Sequence, residues 1–140
     1  MTEEESRDII IENYLHPTNR NKTHEGYQSV NTKNESCIDN INLYIKWNED
    51  KIEDIAFDGE ACAVSISSTS IMIKNLIGKS AKEALDYINE FYQMTSGEEY
   101  NKDLLKDAVV YDAISKQGNR KVCANLPLKG MERAILEHLK

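Results

Sequence analysis

Three cysteines and one aspartate, spread over most of the chain, are the feature that most constrains this sequence. Cys37 and Asp39 form a Cys-x-Asp pair. Cys62 closes a Phe-x-Gly-x-x-Cys stretch, and Cys123 stands far downstream. Three thiolates and a carboxylate are a suitable ligand set for a tetrahedral zinc ion or for one edge of an iron–sulfur cluster. A fold in which all four act together must bring distant segments to one place.

Length and charge exclude several classes of protein. The chain has 140 residues and a formal net charge of −7, and we expect one domain over residues 1–140 with a sizeable core. An acidic chain lacks the basic face that nucleic acid requires, and its apolar runs are too short to span a bilayer. The N-terminal stretch has no basic n-region of an export signal. We therefore expect a cytoplasmic protein with reduced thiols, bound to neither nucleic acid nor membrane.

The order of the predicted elements indicates an α+β fold with two layers. Residues 3–16 read as a helix and residues 17–36 as a polar loop. Alternating apolar side chains predict a strand over 40–47 and its hairpin partner over 52–57. The alternation slips near Asp54, which predicts a bulge, and Gly59 is expected to break the second strand. Further helices are predicted over residues 64–77, 81–94 with a capping box at Ser80 and Glu83, 102–112, and from about Asn125 to Leu139.

The candidate ligands lie at the ends of these elements. Cys62 is expected where a strand ends and a helix begins, a place where free N–H groups and the helix dipole favour an anion. Pro127 is tolerated in the first turn of a helix, so we expect Cys123 just outside the last helix. Cys37 and Asp39, two residues apart, share one face at the mouth of the first strand.

Other interpretations of the same residues stay open at this point. A single cysteine is more often a small buried apolar side chain than a ligand. His16, His24 and His138 are further candidates for a fourth ligand, although each lies in a terminal or loop stretch. No histidine is placed to support a Cys–His nucleophile pair.

Short motifs along nearly the whole chain match one known family. They are Pro17-x-Asn19-Arg20, Cys37-x-Asp39, the run FDGEACAVSISSTSIM at 57–72, Gly78-Lys79, Phe91-x-x-Met94 and Cys123-Ala124-x-Leu126. Together they resemble the IscU/NifU-type iron–sulfur cluster assembly scaffolds. Val122 replaces the histidine of the IscU type, residues 97–119 supply an insertion-like stretch, and Arg120 precedes the last cysteine by three residues. These features resemble the SufU branch more closely.

The resemblance implies a fold, a site and partners. The fold would be a small three-stranded antiparallel sheet packed on one side by helices. The resemblance implies that Cys37, Asp39, Cys62 and Cys123 bind zinc. It also implies that Cys37 accepts persulfide sulfur from a SufS-type cysteine desulfurase, so that the protein is a zinc-dependent sulfurtransferase working with other iron–sulfur assembly proteins. Arg120 is expected to contact the partner.

Two alternatives keep the same ligands. In one, the protein assembles a [2Fe–2S] cluster and passes it on; in the other, the site is a structural zinc module that binds a partner. The chain also departs from the family pattern, because Ile38 and Ala61 stand where the family usually has glycine. Val122 also replaces the lysine that the family pattern has before the last cysteine. Pro127 stands where the family usually continues a helix. Ile38 and Ala61 are expected to restrict the backbone near the site.

Overall fold

The structure, a computed structural model, describes residues 1–35 and 38–140. It is an α+β fold with a three-stranded antiparallel sheet and five helices, as predicted. The elements in chain order are α1 (Glu3–Leu15), β1 (Gln28–Lys33), β2 (Asn40–Asn48), β3 (Lys51–Glu60), α2 (Ala63–Leu76), α3 (Ala81–Thr95), α4 (Lys102–Leu105), two 3₁₀ turns (Lys106–Tyr111 and Ile114–Lys116) and α5 (Gly118–His138). Within the described ranges, no helix is both long and apolar enough to cross a membrane.

The sheet follows the alternation of the sequence, with strand order β1-β2-β3. Ile41, Leu43 and Ile45 of β2 point into the core and are buried. The bulge near Asp54 is confirmed, because Lys46 pairs with Asp54 while the next residue of β2 pairs with Ile52. One residue of β3 is therefore left over, as in a β-bulge.

Gly59 does not end β3, contrary to prediction, since the strand runs to Glu60. Its φ is +111°, and a Cβ at this position would lie 2.1 Å from the Asn40 carbonyl oxygen. Glycine is therefore required here by both backbone conformation and space. Its role is to let β3 run close beside the start of β2.

The predicted loop 17–36 contains a strand that the sequence pattern did not reveal. Residues Gln28–Lys33 form β1 and pair with β2. Burial alternates along this strand, with Gln28, Val30 and Thr32 shielded and the residues between them exposed. Of these three only Val30 is apolar, so the sequence shows no apolar alternation of the kind that normally indicates a strand. The strand is held by its ladder and by α5, where the Thr32 hydroxyl donates to the Leu126 carbonyl at 3.0 Å.

The outer edge of β3 is occupied by other parts of the chain. The Asn21 N–H donates to the Phe57 carbonyl at 2.8 Å, and the Phe57 N–H donates to the Asn19 carbonyl at 3.2 Å. Further along the same edge, the Ile52 N–H donates to the Lys79 carbonyl at 2.9 Å. Two separate segments thus cover the backbone groups that a bare edge would expose.

The helix predicted over 102–112 is wrong in form. It is one turn of α-helix followed by a 3₁₀ turn, and Leu104 is exposed. The next residues form a second short 3₁₀ turn, Ile114–Lys116, which leads into α5.

The last helix begins earlier than the proline rule suggested. α5 starts at Gly118, so that Cys123 lies inside it and Pro127 occupies its interior. Proline removes the N–H that would bond the carbonyl four residues before it. Hydroxyl groups of α2 donate to carbonyls of this part of α5, including those of Cys123 and Ala124. Donors from a distant element thus replace what the local sequence lacks.

Candidate metal centre

Asp39, Cys62 and Cys123 meet at one end of the sheet. Asp39 directly precedes β2, Cys62 is the N-cap residue of α2, and Cys123 belongs to α5. The ligand atoms of these three side chains all lie within 4.8 Å of one another. Cys37, the fourth predicted ligand, lies outside the described residues.

The sheet register explains why two of these residues are neighbours. Asn40 pairs with Glu60 across β2 and β3. Asp39 lies one residue before this pair and Cys62 two residues after it, so both leave the sheet at the same end. The close approach at Gly59 allows the two strand ends to lie together. Asp39 is 1% exposed and Cys62 is half-buried.

Asp39 caps α2 from a different strand. The Cys62 side chain makes no capping bond, but the Cys62 N–H donates to Asp39 Oδ1 at 2.7 Å. The Ser65 hydroxyl lies 2.8 Å from Asp39 Oδ2, and Cys62 Sγ lies 3.7 Å from the same oxygen. A carboxylate at a helix N-terminus is stabilised by the free N–H groups and by the dipole.

The surroundings shift two ionisation equilibria in opposite directions. Burial acts to raise the pKa of Asp39, but hydrogen bonds from the Cys62 N–H, the Cys123 thiol and the Ser65 hydroxyl outweigh burial and lower it. Burial, followed by the hydrogen bonds with Asp39 and Cys62, raises the pKa of the Cys123 thiol. These shifts favour the ionised form of the Asp39 carboxyl and the protonated form of the Cys123 thiol.

The three residues fit a zinc ion. A tetrahedral zinc with Zn–S bonds of about 2.3 Å separates two sulfurs by about 3.8 Å, and the observed ligand atoms lie within 4.8 Å of one another. Two thiolates and one carboxylate leave one position for a fourth ligand. Thiolates also suit iron–sulfur clusters, so the donor set agrees with both predicted groups and does not choose between them.

The histidines do not join this group. His24 stacks on Tyr44 with ring centroids 3.5 Å apart, and His138 stacks on Trp47 at 3.7 Å. His16 is the C-cap residue of α1. Within the ranges 1–35 and 38–140, the grouped ligands at this site are the aspartate and the two cysteines.

Arg120 lies about one helical turn before Cys123 on α5 and is exposed. It lines a groove between α1 and the 3₁₀ turns, together with Arg7, Ile10 and Ile114. This position agrees with a side chain that is available to a partner. The predicted partner contact itself stays a prediction.

The unusual residues beside the ligands differ in exposure. Ala61 has no positive φ, and the expected restriction of the backbone by Ile38 and Ala61 stays a prediction. Ile38 is 71% exposed and Val122 is 44% exposed. Two apolar side chains thus project into solvent directly beside Asp39 and Cys123.

Ser65 is a site residue that the sequence analysis missed. Its hydroxyl is fully buried and lies 2.8 Å from Asp39 Oδ2 and 2.9 Å from the Cys123 carbonyl. The serines at the start of α2 belong to the run at 57–72, but that run alone assigns no role to Ser65. The pairing of Ser65 with Asp39 and Cys123 depends on contacts between residues far apart in the chain.

Comparison with known proteins agrees with the fold and the site. Residues 5–124 match the family described as the NifU-like N-terminal domain. An iron–sulfur cluster assembly scaffold protein IscU of Streptococcus pyogenes serotype M1 is 38% identical over 112 residues, which cover 79% of this chain and 70% of that protein. The zinc-dependent sulfurtransferase SufU of Bacillus subtilis strain 168 is 32% identical over 130 residues, covering 92% and 88%.

A solved structure extends the comparison to three dimensions. The crystal structure of a putative iron–sulfur cluster assembly scaffold protein for the SUF system from Fervidobacterium islandicum AW-1 superimposes with a TM-score of 0.87. It is 30% identical and covers 91% of this chain and 94% of its own. An α+β domain with a cysteine–aspartate cluster at one end of a three-stranded sheet is the class that these features define. The chain belongs to the NifU-like N-terminal domain family, whose relatives include proteins named IscU and SufU.

Proposed function

We propose that this protein acts in iron–sulfur cluster assembly as a zinc-dependent acceptor of persulfide sulfur, in the manner of the SufU branch. The observation that carries the proposal is the meeting of Asp39, Cys62 and Cys123 within 4.8 Å. It is supported by the relative named a zinc-dependent sulfurtransferase, which aligns over 92% of this chain.

The proposed zinc ligands are Cys37, Asp39, Cys62 and Cys123. Zinc, when bound, keeps its thiolate ligands deprotonated at neutral pH. The chain supplies the arrangement around it. Asp39 is held by the Cys62 N–H and the Ser65 hydroxyl, and as an oxygen ligand among sulfurs it would be the weakest ligand of the set, which would ease the release of Cys37.

Cys37 is the proposed nucleophile. Its thiolate attacks the outer sulfur of a cysteine persulfide on a SufS-type desulfurase. A new S–S bond forms on Cys37, the S–S bond of the donor breaks, and the donor cysteine leaves as a thiolate. One sulfur atom changes carrier, and no external oxidant or reductant is required.

The proposed docking surface surrounds the ligands. Ile38 and Val122 are exposed apolar side chains beside them, and exposed apolar residues that form a patch are typical of interaction sites. Arg120 lies near this surface on the same helix as Cys123 and is proposed to pair with an acidic group of the desulfurase.

The test is the turnover of a SufS-type desulfurase with zinc-loaded protein, with zinc-stripped protein and with Cys37→Ala. We expect strong stimulation by the zinc-loaded protein alone, and a mass increase of one sulfur atom on Cys37. The far-ultraviolet circular dichroism of Cys37→Ala serves as the control for folding. Stimulation that persists in Cys37→Ala would refute the assignment.

A second candidate function is assembly of a [2Fe–2S] cluster as cargo for transfer. It is supported by the relative named an iron–sulfur cluster assembly scaffold, which is 38% identical. Oxygen-free reconstitution with iron and sulfide that yields a stable visible chromophore would favour this function. A structural zinc module would instead be indicated if ligand variants unfold the protein and a desulfurase never responds.

That residues 1–140 form one domain stays a prediction.

A further inference from the structure

We propose that Ser65 is a positioning residue that joins the Asp39 carboxylate to the Cys123 turn of α5, and that Pro127 creates this link. The inference rests on the proposed metal site and concerns a residue beyond its ligands. Ser65 Oγ lies 2.8 Å from Asp39 Oδ2 and 2.9 Å from the Cys123 carbonyl oxygen, and Cys62 Sγ lies 3.7 Å away.

Pro127 explains why the Cys123 carbonyl accepts a side-chain hydrogen bond. In an uninterrupted helix, this carbonyl would accept from the N–H of residue 127, but proline has none. Both Ser65 and Cys123 are buried, so the serine hydroxyl takes the place of the missing donor. A buried carbonyl without a hydrogen-bond partner lowers the stability of the fold. The Ser65 hydroxyl therefore stabilises the contact between α2 and α5 by a hydrogen bond as well as by packing.

The single proton of Ser65 couples the two sides. A serine hydroxyl has one O–H donor, and two acceptors, Asp39 Oδ2 and the Cys123 carbonyl, lie within hydrogen-bond distance of it, so that the proton is shared between them in a three-centre hydrogen bond. Both acceptors belong to proposed metal ligands, one through its side chain and one through its backbone. Ser65 therefore fixes the carboxylate and the Cys123 turn relative to each other before a metal arrives.

The same helix supplies a matched control. Ser68 is buried, and its hydroxyl donates to the Ala124 carbonyl of α5 at 2.6 Å. It thus makes the same kind of bond to the same helix. Within residues 1–35 and 38–140, Ser68 makes no hydrogen bond with Asp39 or Cys62. Ser65→Ala and Ser68→Ala therefore both remove a hydroxyl-to-α5 bond, but only Ser65→Ala disturbs the ligands.

The first experiment measures zinc affinity by competition with a chromophoric chelator for the wild type and the two variants. We expect Ser65→Ala to bind zinc roughly 10–100-fold more weakly, which is the range for residues that orient metal ligands. Ser68→Ala is expected to stay within about threefold of the wild type. Equal loss of affinity in both variants would overturn the positioning role and leave Ser65 as a packing residue.

The second experiment tests Pro127 in the metal-free protein. Pro127→Ala restores an N–H for the Cys123 carbonyl, so Ser65→Ala should lower the denaturation midpoint much less in this background than in the wild-type background. Equal shifts in both backgrounds would refute the role of Pro127. If the wild type binds no zinc, the proposed function fails, but this double-mutant cycle still decides whether Ser65 and Pro127 are coupled.

Discussion

Helices α2 and α3 begin in different ways. α3 begins with a capping box, in which the Ser80 hydroxyl accepts from the Glu83 N–H and the Glu83 carboxylate accepts from the Ser80 N–H. α2 begins at Cys62, whose side chain makes no capping bond, and Asp39 from before β2 takes that role. One helix start is stabilised by its own sequence, whereas the other is stabilised by a residue that arrives through the fold.

The bodies of α2 and α3 also differ in how far they depend on residues distant in the chain. α3 presents one apolar stripe to the core, as its spacing predicts. α2 is buried almost all round, and its serines bond to distant partners that include Asn13, Tyr111 and α5. A helix buried on every side cannot place its hydroxyls in water, so each must find a protein partner. The site is therefore built on the helix that depends most on the rest of the molecule.

The largest expected effect is at the start of α2. Cys62→Ala should weaken zinc binding on the order of a thousandfold, because structural zinc binding strengths imply several kcal/mol per ligand. The fold should persist, since the Cys62 side chain caps nothing and its N–H remains available to Asp39. Chelator competition and circular dichroism measure the two quantities. Loss of the fold in Cys62→Ala would contradict the contrast between the two helix starts.

The interiors of the helices should respond alike. Ile73 of α2 and Ile88 of α3 are both fully buried. Truncation of either to alanine should lower the free energy of unfolding by about 2–5 kcal/mol, from lost transfer energy and the cavity left behind. Chemical denaturation of both variants measures the effect. A loss under about 1 kcal/mol for Ile73 alone would show that the hydroxyl partners, and not apolar packing, hold α2.

Ser70 tests the buried hydroxyls of α2 away from the metal centre. Its hydroxyl donates to Asn13 Oδ1 at 2.8 Å and accepts from the Thr18 N–H at 2.9 Å. Ser70→Ala should cost about 1–3 kcal/mol, because buried groups lose their partner. Asn89→Ala, at an exposed position of α3, is the control and should stay within about 0.5 kcal/mol. Similar values for the two would remove the distinction between the helix bodies.

The smallest expected effect is at the start of α3. Ser80→Ala removes the cap and should lower the free energy of unfolding by about 1 kcal/mol. Zinc affinity should not change, because Ser80 lies in a separate part of the fold from Asp39. Ser80→Ala is thus expected to have the opposite effect to Cys62→Ala. The free energy of unfolding falls, whereas zinc affinity is unchanged. A drop in zinc affinity with Ser80→Ala would show that the two helix starts are not independent.

The same contrast explains what the sequence could predict. α3, its capping box and the β2–β3 hairpin were predicted because their signals are local: a 3.6-residue stripe, an S-x-x-E pattern and strict alternation. β1 was missed because its inward-facing positions, Gln28, Val30 and Thr32, include only one apolar residue, so its alternation shows in burial and not in the sequence. The predicted start of α5 was wrong because a proline inside a helix normally leaves one carbonyl without a donor. Here the Ser65 hydroxyl of α2 donates to that carbonyl, which belongs to Cys123.

The candidate site shows the same division. All four proposed ligands could be named from residue type and motif, and three of them come together in the described structure. Ser65 could not be named, because a serine acquires its role only from what the fold places beside it. Its neighbours Asp39 and Cys123 are far from it in the chain.

The covered edge of β3 has a consequence for how the protein behaves at high concentration. A bare strand edge is a template on which another chain can add a strand, and such addition leads to fibrils and domain-swapped aggregates. Here the segment around Asn19–Asn21 and the turn at Lys79 already bond to that edge. Copies of the chain therefore cannot add a strand at β3 without first displacing their own backbone from that edge.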